Sequence, residues 1–84
     1  MSRHNVRLNK NEFVIVGWDP GCDSFFMYKY DDRIETDDDF PIDHIGMTGG
    51  FRMLGDFETA CYLKLVNLPN ETLLDLQEDK LANR

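Results

Sequence analysis

The chain predicts a small α+β domain in which a three-stranded antiparallel sheet (β-β-β-α-α) is covered by a C-terminal helical hairpin. Three observations carry that expectation. Residues 12–18 (EFVIVGW) and 25–30 (FFMYKY) are rich in β-branched and aromatic side chains and are separated by turn-forming residues. Farther on, Phe57, Ala60, Cys61, Leu65 and Leu68 recur at helical spacing, and after Pro69 so do Leu73, Leu74, Leu76 and Leu81. An 84-residue chain that is 42% hydrophobic has material for one core and not for two.

The elements follow in order. Residues 1–10 (MSRHNVRLNK) are polar and are expected to be a flexible basic tail, which leaves 11–84 as a single compact domain. The first strand spans 12–18, with Trp18 at its end and expected in the core. Asp19-Pro20-Gly21-Cys22-Asp23-Ser24 makes the turn: Asp19 accepts backbone N–H groups, Pro20 fixes φ, and Gly21 is free to take positive φ. In the second strand, 25–30, alternation sets Phe26, Tyr28 and Tyr30 on one face and Phe25, Met27 and Lys29 on the other. Consecutive acids then demand a loop, closed by Pro41. A third strand is expected over 42–48 (IDHIGMT), with Ile42 or Ile45 facing inward and Gly49-Gly50 ending it. Asp56 reads as the N-cap of the first helix, and Pro69 as a residue at or near the start of the second, where its missing N–H costs little.

Charge narrows the function. The formal net charge is -7, and seven carboxylates lie between Asp31 and Asp43 against one base, Arg33. The first ten residues carry Arg3, Arg7 and Lys10 and no acid, so the acidity belongs to the remainder. Such a chain is repelled by nucleic acid and anionic lipid and attracted to basic protein surfaces. No signal peptide or long apolar run is present, and two cysteines do not make a disulfide framework. The expectation is a cytoplasmic protein with free thiols, monomeric or homodimeric.

The motifs associated with chemistry fail on their own requirements. The acidic run has spaced oxygens but no glycine at a sharp turn and no terminal Glu at EF-hand spacing, so it does not make a calcium loop. His4, His44, Cys22 and Cys61 lack the clustering that zinc requires. Cys61 lies on the apolar face of a predicted helix, and Cys22 is flanked by Asp19 and Asp23, so neither suits a nucleophile. Gly46-Met47-Thr48-Gly49-Gly50 lacks the Lys-Ser/Thr ending of a phosphate loop. No catalytic residue, cofactor or metal is expected, and the chain does not read as an enzyme.

Gly17-Trp18-Asp19-Pro20 followed by Phe25-Phe26, the acidic stretch, and Leu68-Pro69 opening the last helix resemble small acidic proteins carried by bacterial mobile elements. That resemblance implies a phage or plasmid context, in which anti-CRISPR proteins, nuclease inhibitors and immunity proteins are common. Charge and resemblance together lead to one expectation: a non-enzymatic inhibitor of a basic, nucleic-acid-handling protein, whose carboxylates occupy sites meant for phosphates. The expected contact residues are Asp31, Asp32, Glu35, Asp37, Asp38, Asp39 and Asp43, with Phe40 and Ile42 as apolar anchors. The alternative is an accessory, assembly or immunity-type module. In it the acids only confer solubility, and Trp18, Phe25 or Tyr28 makes the contact.

Overall fold

A computed structural model describes residues 1–34 and 40–83. Its elements are β1 (His4–Arg7), β2 (Glu12–Asp19), β3 (Ser24–Asp31), β4 (Asp43–Ile45), α1 (Leu54–Leu63) and α2 (Asn70–Ala82). The strands form one antiparallel sheet in the order β1-β2-β3-β4. The α+β class and the hairpin at its centre are as expected, with Trp18 opposite Phe25 and Val16 opposite Met27. The hairpin turn is an Asx turn: Asp19 Oδ1 accepts the Gly21 N–H at 2.9 Å, and the Asp19 carbonyl accepts that of Cys22. Its left-handed residue is Asp23, at φ 52°, and not Gly21.

The largest correction concerns the N-terminus. Residues 4–7, expected in a flexible tail, make a fourth strand paired with β2 in the register His4↔Val16 to Arg7↔Phe13. Only Val6 of this strand is buried, so a half-exposed edge strand reads in sequence as a polar run. The ladder extends past the strand at both ends, through Ser2 N–H to the Trp18 carbonyl and Leu8 N–H to the Glu12 carbonyl. At the turn, Asn9 Oδ1 accepts the N–H groups of Asn11 and Glu12. A hydrogen bond between His4 Nε2 and Asp79 Oδ2 then ties β1 to α2.

The other differences lie at element ends. β4 covers three residues where seven were expected, because Gly46 turns away at φ 72° and passes the Phe25 backbone too closely for a side chain. A Cβ on Gly46 would stand 2.1 Å from the Phe25 carbonyl oxygen. Ile45 faces inward and Ile42 does not. α1 begins two residues before Asp56, behind Met53 and with no side-chain cap, so Asp56 stands in the first turn, where the helix dipole favours an acid. Pro69 precedes α2 as expected, in an extended conformation. Of the expected stripe on α2, Leu76 is buried and Leu73 half-buried, while Leu74 and Leu81 are exposed.

Alternation divides the sheet. Val6, Val14, Val16, Trp18, Phe25, Met27 and Ile45 face the helices and form the core with Phe57, Cys61, Val66 and Leu76. α1 lies over β3 and α2 over β2. The opposite face carries Phe13 stacked on Tyr30 and Phe26 tilted against Tyr28, with the Arg7 guanidinium 5.2 Å from the Phe13 ring centre. Trp18 and Phe25 are thus core residues, which removes two of the three aromatic contacts of the assembly alternative.

Candidate interaction surface

The acidic segment leaves the sheet at the end of β3 and returns at β4. Asp31 ends β3 with its carboxylate buried and held by Arg33: Nε donates at 3.0 Å, NH2 at 2.7 Å, and the Arg33 backbone N–H at 2.9 Å. These donors, the side-chain ones first, hold the Asp31 carboxyl at about 2, well below the usual carboxylate range. Asp32 accepts a hydrogen bond from Arg7 at 2.8 Å, and its backbone N–H donates to the Asn11 carbonyl. On the return, Ile42 N–H donates to the Lys29 carbonyl. Asp43 accepts both from Lys64 Nζ, at 3.0 and 3.1 Å, and from the His44 N–H. Partial burial works to raise the Asp43 carboxyl, but the Lys64 ammonium and the His44 N–H outweigh it, so its pKa is lowered.

Three of the expected contact carboxylates are therefore engaged within the chain. Asp31 has a structural task, shaping the exit from β3, while Asp32 and Asp43 sit in exposed pairs of the kind worth about 0–1 kcal/mol, which a partner's base can displace. The expected contacts Glu35, Asp37, Asp38 and Asp39 lie outside the described residues. Both apolar anchors stand in solvent: Phe40 is 55% exposed, with its ring edge-to-face with His44, and Ile42 is 42% exposed. Ile34 is exposed at the other end of the segment.

The fold adds residues that sequence reasoning placed elsewhere. Lys64, which reaches Asp43, is flanked by Leu63 and Leu65, so the end of α1 stands beside the start of β4. Leu65 is 85% exposed and takes φ 62°. It occupies the left-handed position of a Schellman closure: Leu65 N–H donates to the Tyr62 carbonyl at 3.0 Å and Val66 N–H to the Cys61 carbonyl at 2.9 Å. That position is ordinarily glycine. Here an apolar side chain is held in a strained backbone conformation and directed outward rather than into the core. Spacing from Phe57 through Cys61 to Leu65 pointed it inward; the signal for its true place is that the chain must leave the helix before Leu68-Pro69.

Among the described residues no three His, Cys, Asp or Glu side chains gather to hold a metal. Burial pushes the Cys61 thiol up to about 12, and a hydrogen bond with Asp19 raises that of exposed Cys22. No helix among the described residues is long and apolar enough to cross a membrane. Comparison with protein-family models, curated proteins and solved structures finds no match to this chain.

Proposed function

We propose that this chain is a non-enzymatic acidic binding protein. In this reading it inhibits a basic, nucleic-acid-handling protein by occupying the surface that would otherwise hold phosphates. The observation that carries the reading is the company the acids keep. Phe40 and Ile42 stand exposed within the acidic segment, and the Asp43–Lys64 pair brings Leu63 and Leu65 alongside. Charge steers a partner and sets the salt dependence, whereas affinity needs desolvated apolar anchors at the centre of a contact. Both are present at one end of the sheet. The anti-CRISPR type, acting on a CRISPR surveillance complex, is the most concrete form of the proposal.

The test is a pull-down from bacterial lysate with the folded, tagged chain, eluted on a rising salt gradient. A nucleic-acid-binding protein should be released at moderate salt. Asp37, Asp38 and Asp39 changed together to Asn should slow its association and flatten the salt dependence with the fold intact. An affinity unchanged in that triple variant, or a partner held through high salt, would discard the proposal in favour of an assembly module whose acids only confer solubility.

A further inference from the structure

β1 is an outer strand of the sheet, and its register with β2 fixes which way each backbone group points. Ser2 N–H donates to the Trp18 carbonyl and Leu8 N–H to the Glu12 carbonyl, and the pairs His4↔Val16 and Val6↔Val14 fall between them in the same phase. The even-numbered residues therefore direct their backbone groups to β2. In an antiparallel ladder the alternate residues point the other way, so the N–H and carbonyl groups of Arg3, Asn5 and Arg7 face outward from the sheet. The opposite edge offers less: β4 has three residues before Gly46 turns the chain away. β1 is held by the ladder at both its ends and by His4 on Asp79, so residues 2–8 form a fixed template about 24 Å long.

Charge decides what such a template accepts. Val6 faces the helices, so Arg3, Asn5 and Arg7 alternate onto the other face of the sheet. There Asn5, Arg7 and Phe13 line a hollow of about 230 Å³ beside the edge. The Arg7 guanidinium stands over the Phe13 ring and donates to Asp32, an exposed pair that an incoming carboxylate can displace. Asp19, beyond the end of β1, accepts from Gly21 within its own turn. On the helix side the sign reverses. α2 turns Leu76 to the core and Asp79 to His4, so Asp75, one turn before Asp79, overlooks the same edge, with Glu71 and Glu78 farther round the helix. Glu12 on that side is paired with Lys29. A second copy does not fit this pattern. Two β1 strands meeting antiparallel about Asn5 would set Arg3 of each against Arg7 of the other, and like charges directly opposite are destabilising.

We propose that β1 is a docking edge for an extended segment of a partner protein, which adds a fifth strand antiparallel to it. Acidic side chains at alternate positions of that segment lie opposite Arg3 and Arg7 and enter the hollow beside Asn5. The basic or neutral side chains between them face Asp75. Main-chain hydrogen bonds to Arg3, Asn5 and Arg7 supply the affinity, and the alternation of charge supplies the specificity. The contact lies at the other edge of the sheet from β4, and it does not rest on what the acidic segment binds.

The test uses the full chain, isotopically labelled for amide NMR, and two synthetic peptides of one composition. In acetyl-KEVEKEK-amide the acids alternate, in acetyl-KKKVEEE-amide they stand in a block, and neither peptide carries a net charge. Titrated to about 1 mM, the first should move the amide protons of Arg3, Asn5 and Arg7 downfield and slow their exchange with solvent. Those of His4 and Val6, already bonded to β2, should stay in place. The second peptide should bind about tenfold more weakly. Asn5→Pro deletes an outward N–H and no ladder bond, a change that edge strands tolerate, so it should keep the melting curve and weaken the first peptide about tenfold. Arg3→Glu leaves the backbone as it is and should weaken that peptide about fivefold. No response of the Arg3, Asn5 and Arg7 amides at about 1 mM of the first peptide would overturn the proposal. So would equal binding of the two peptides, or binding that both variants leave unchanged.

Discussion

Leu65 is the residue at which stability and the proposed contact pull in opposite directions, and Leu65→Gly separates them. A side chain in the left-handed region costs about 1–2 kcal/mol relative to right-handed backbone. Glycine removes that strain but returns about 0.5–1 kcal/mol through its greater freedom in the unfolded chain. With Leu65 85% exposed, losing its side chain forfeits only a few tenths of the roughly 1.5–3 kcal/mol that full burial gives. The balance is a gain of about 0.5–1 kcal/mol, which for a domain of this size raises Tm by about 2–8 °C. Leu65→Ala is the companion variant. It keeps Cβ, and so keeps the strain, while removing the same apolar contact, and its Tm should stay close to that of the parent. Circular-dichroism melts read the first effect. Affinity for the protein recovered by pull-down reads the second, and both variants should weaken it by about tenfold, the cost of losing one modest interface anchor. A Leu65→Gly chain that melts lower than the parent would refute the strain argument. One that melts higher while both variants bind normally would remove Leu65 from the interaction surface.

Three further outcomes follow from the same geometry. The Asp31 carboxyl is held near 2 in the folded chain against about 3.9 when unfolded, so its contribution is present above about pH 4 and is lost as pH falls toward 2. Asp31→Asn should flatten the melting temperature across that window, and an undiminished slope would count against the Arg33 pairing. Iodoacetamide at neutral pH should label Cys22 slowly and leave Cys61 untouched until denaturant is added, as mass spectrometry would show; equal labelling in the native state would contradict the burial of Cys61. Deleting residues 1–8 should remove about 3–4 kcal/mol, from the burial of Val6 and the loss of the β1 ladder. Against a total of about 4–12 kcal/mol for this length that leaves a marginal fold, whereas a dispensable tail would leave Tm unchanged.

What was legible in the sequence follows from how each element earns its place. The central hairpin could be read because Val14, Val16, Phe25 and Met27 repeat at the strand period and an Asx turn with proline lies between them. β1 could not, since an edge strand buries one side chain in four and its hydrogen-bonding partner lies across the turn. Helix periodicity placed α1 and α2 but carried Leu65 inward, because spacing does not register a left-handed residue that reverses the chain. On α2 the same spacing made one stripe of Leu73, Leu74, Leu76 and Leu81, of which the sheet takes Leu76 fully and Leu73 in part. Phe40 and Ile42, singled out in sequence for their place in the acidic run, are exposed, as is Leu63 next to Lys64, which carried no local mark at all.

The ion pairs sharpen the argument about charge. Arg7, Lys29, Arg33, Arg52 and Lys64 are paired with Asp32, Glu12, Asp31, Asp23 and Asp43 respectively. These five bases neutralise acids at or beside the strands, and among them are the three that flank the acidic segment. Between those flanks, residues 35–39 (ETDDD) carry four carboxylates and no base. By sequence, then, the longest run of acids without a base lies in the middle of the segment, while the described ion pairs engage the acids on either side of it. A solvating surface needs no such partition, because dispersed acids keep a protein soluble equally well. A surface meant for a row of basic side chains does need it, and needs apolar anchors next to it, where Phe40 and Ile42 stand exposed. Moving the same charge elsewhere, for example by changing Asp37 to Asn while changing exposed Thr59 to Asp, keeps the net charge at -7 and should still weaken the partner; equal binding would show that only the total matters.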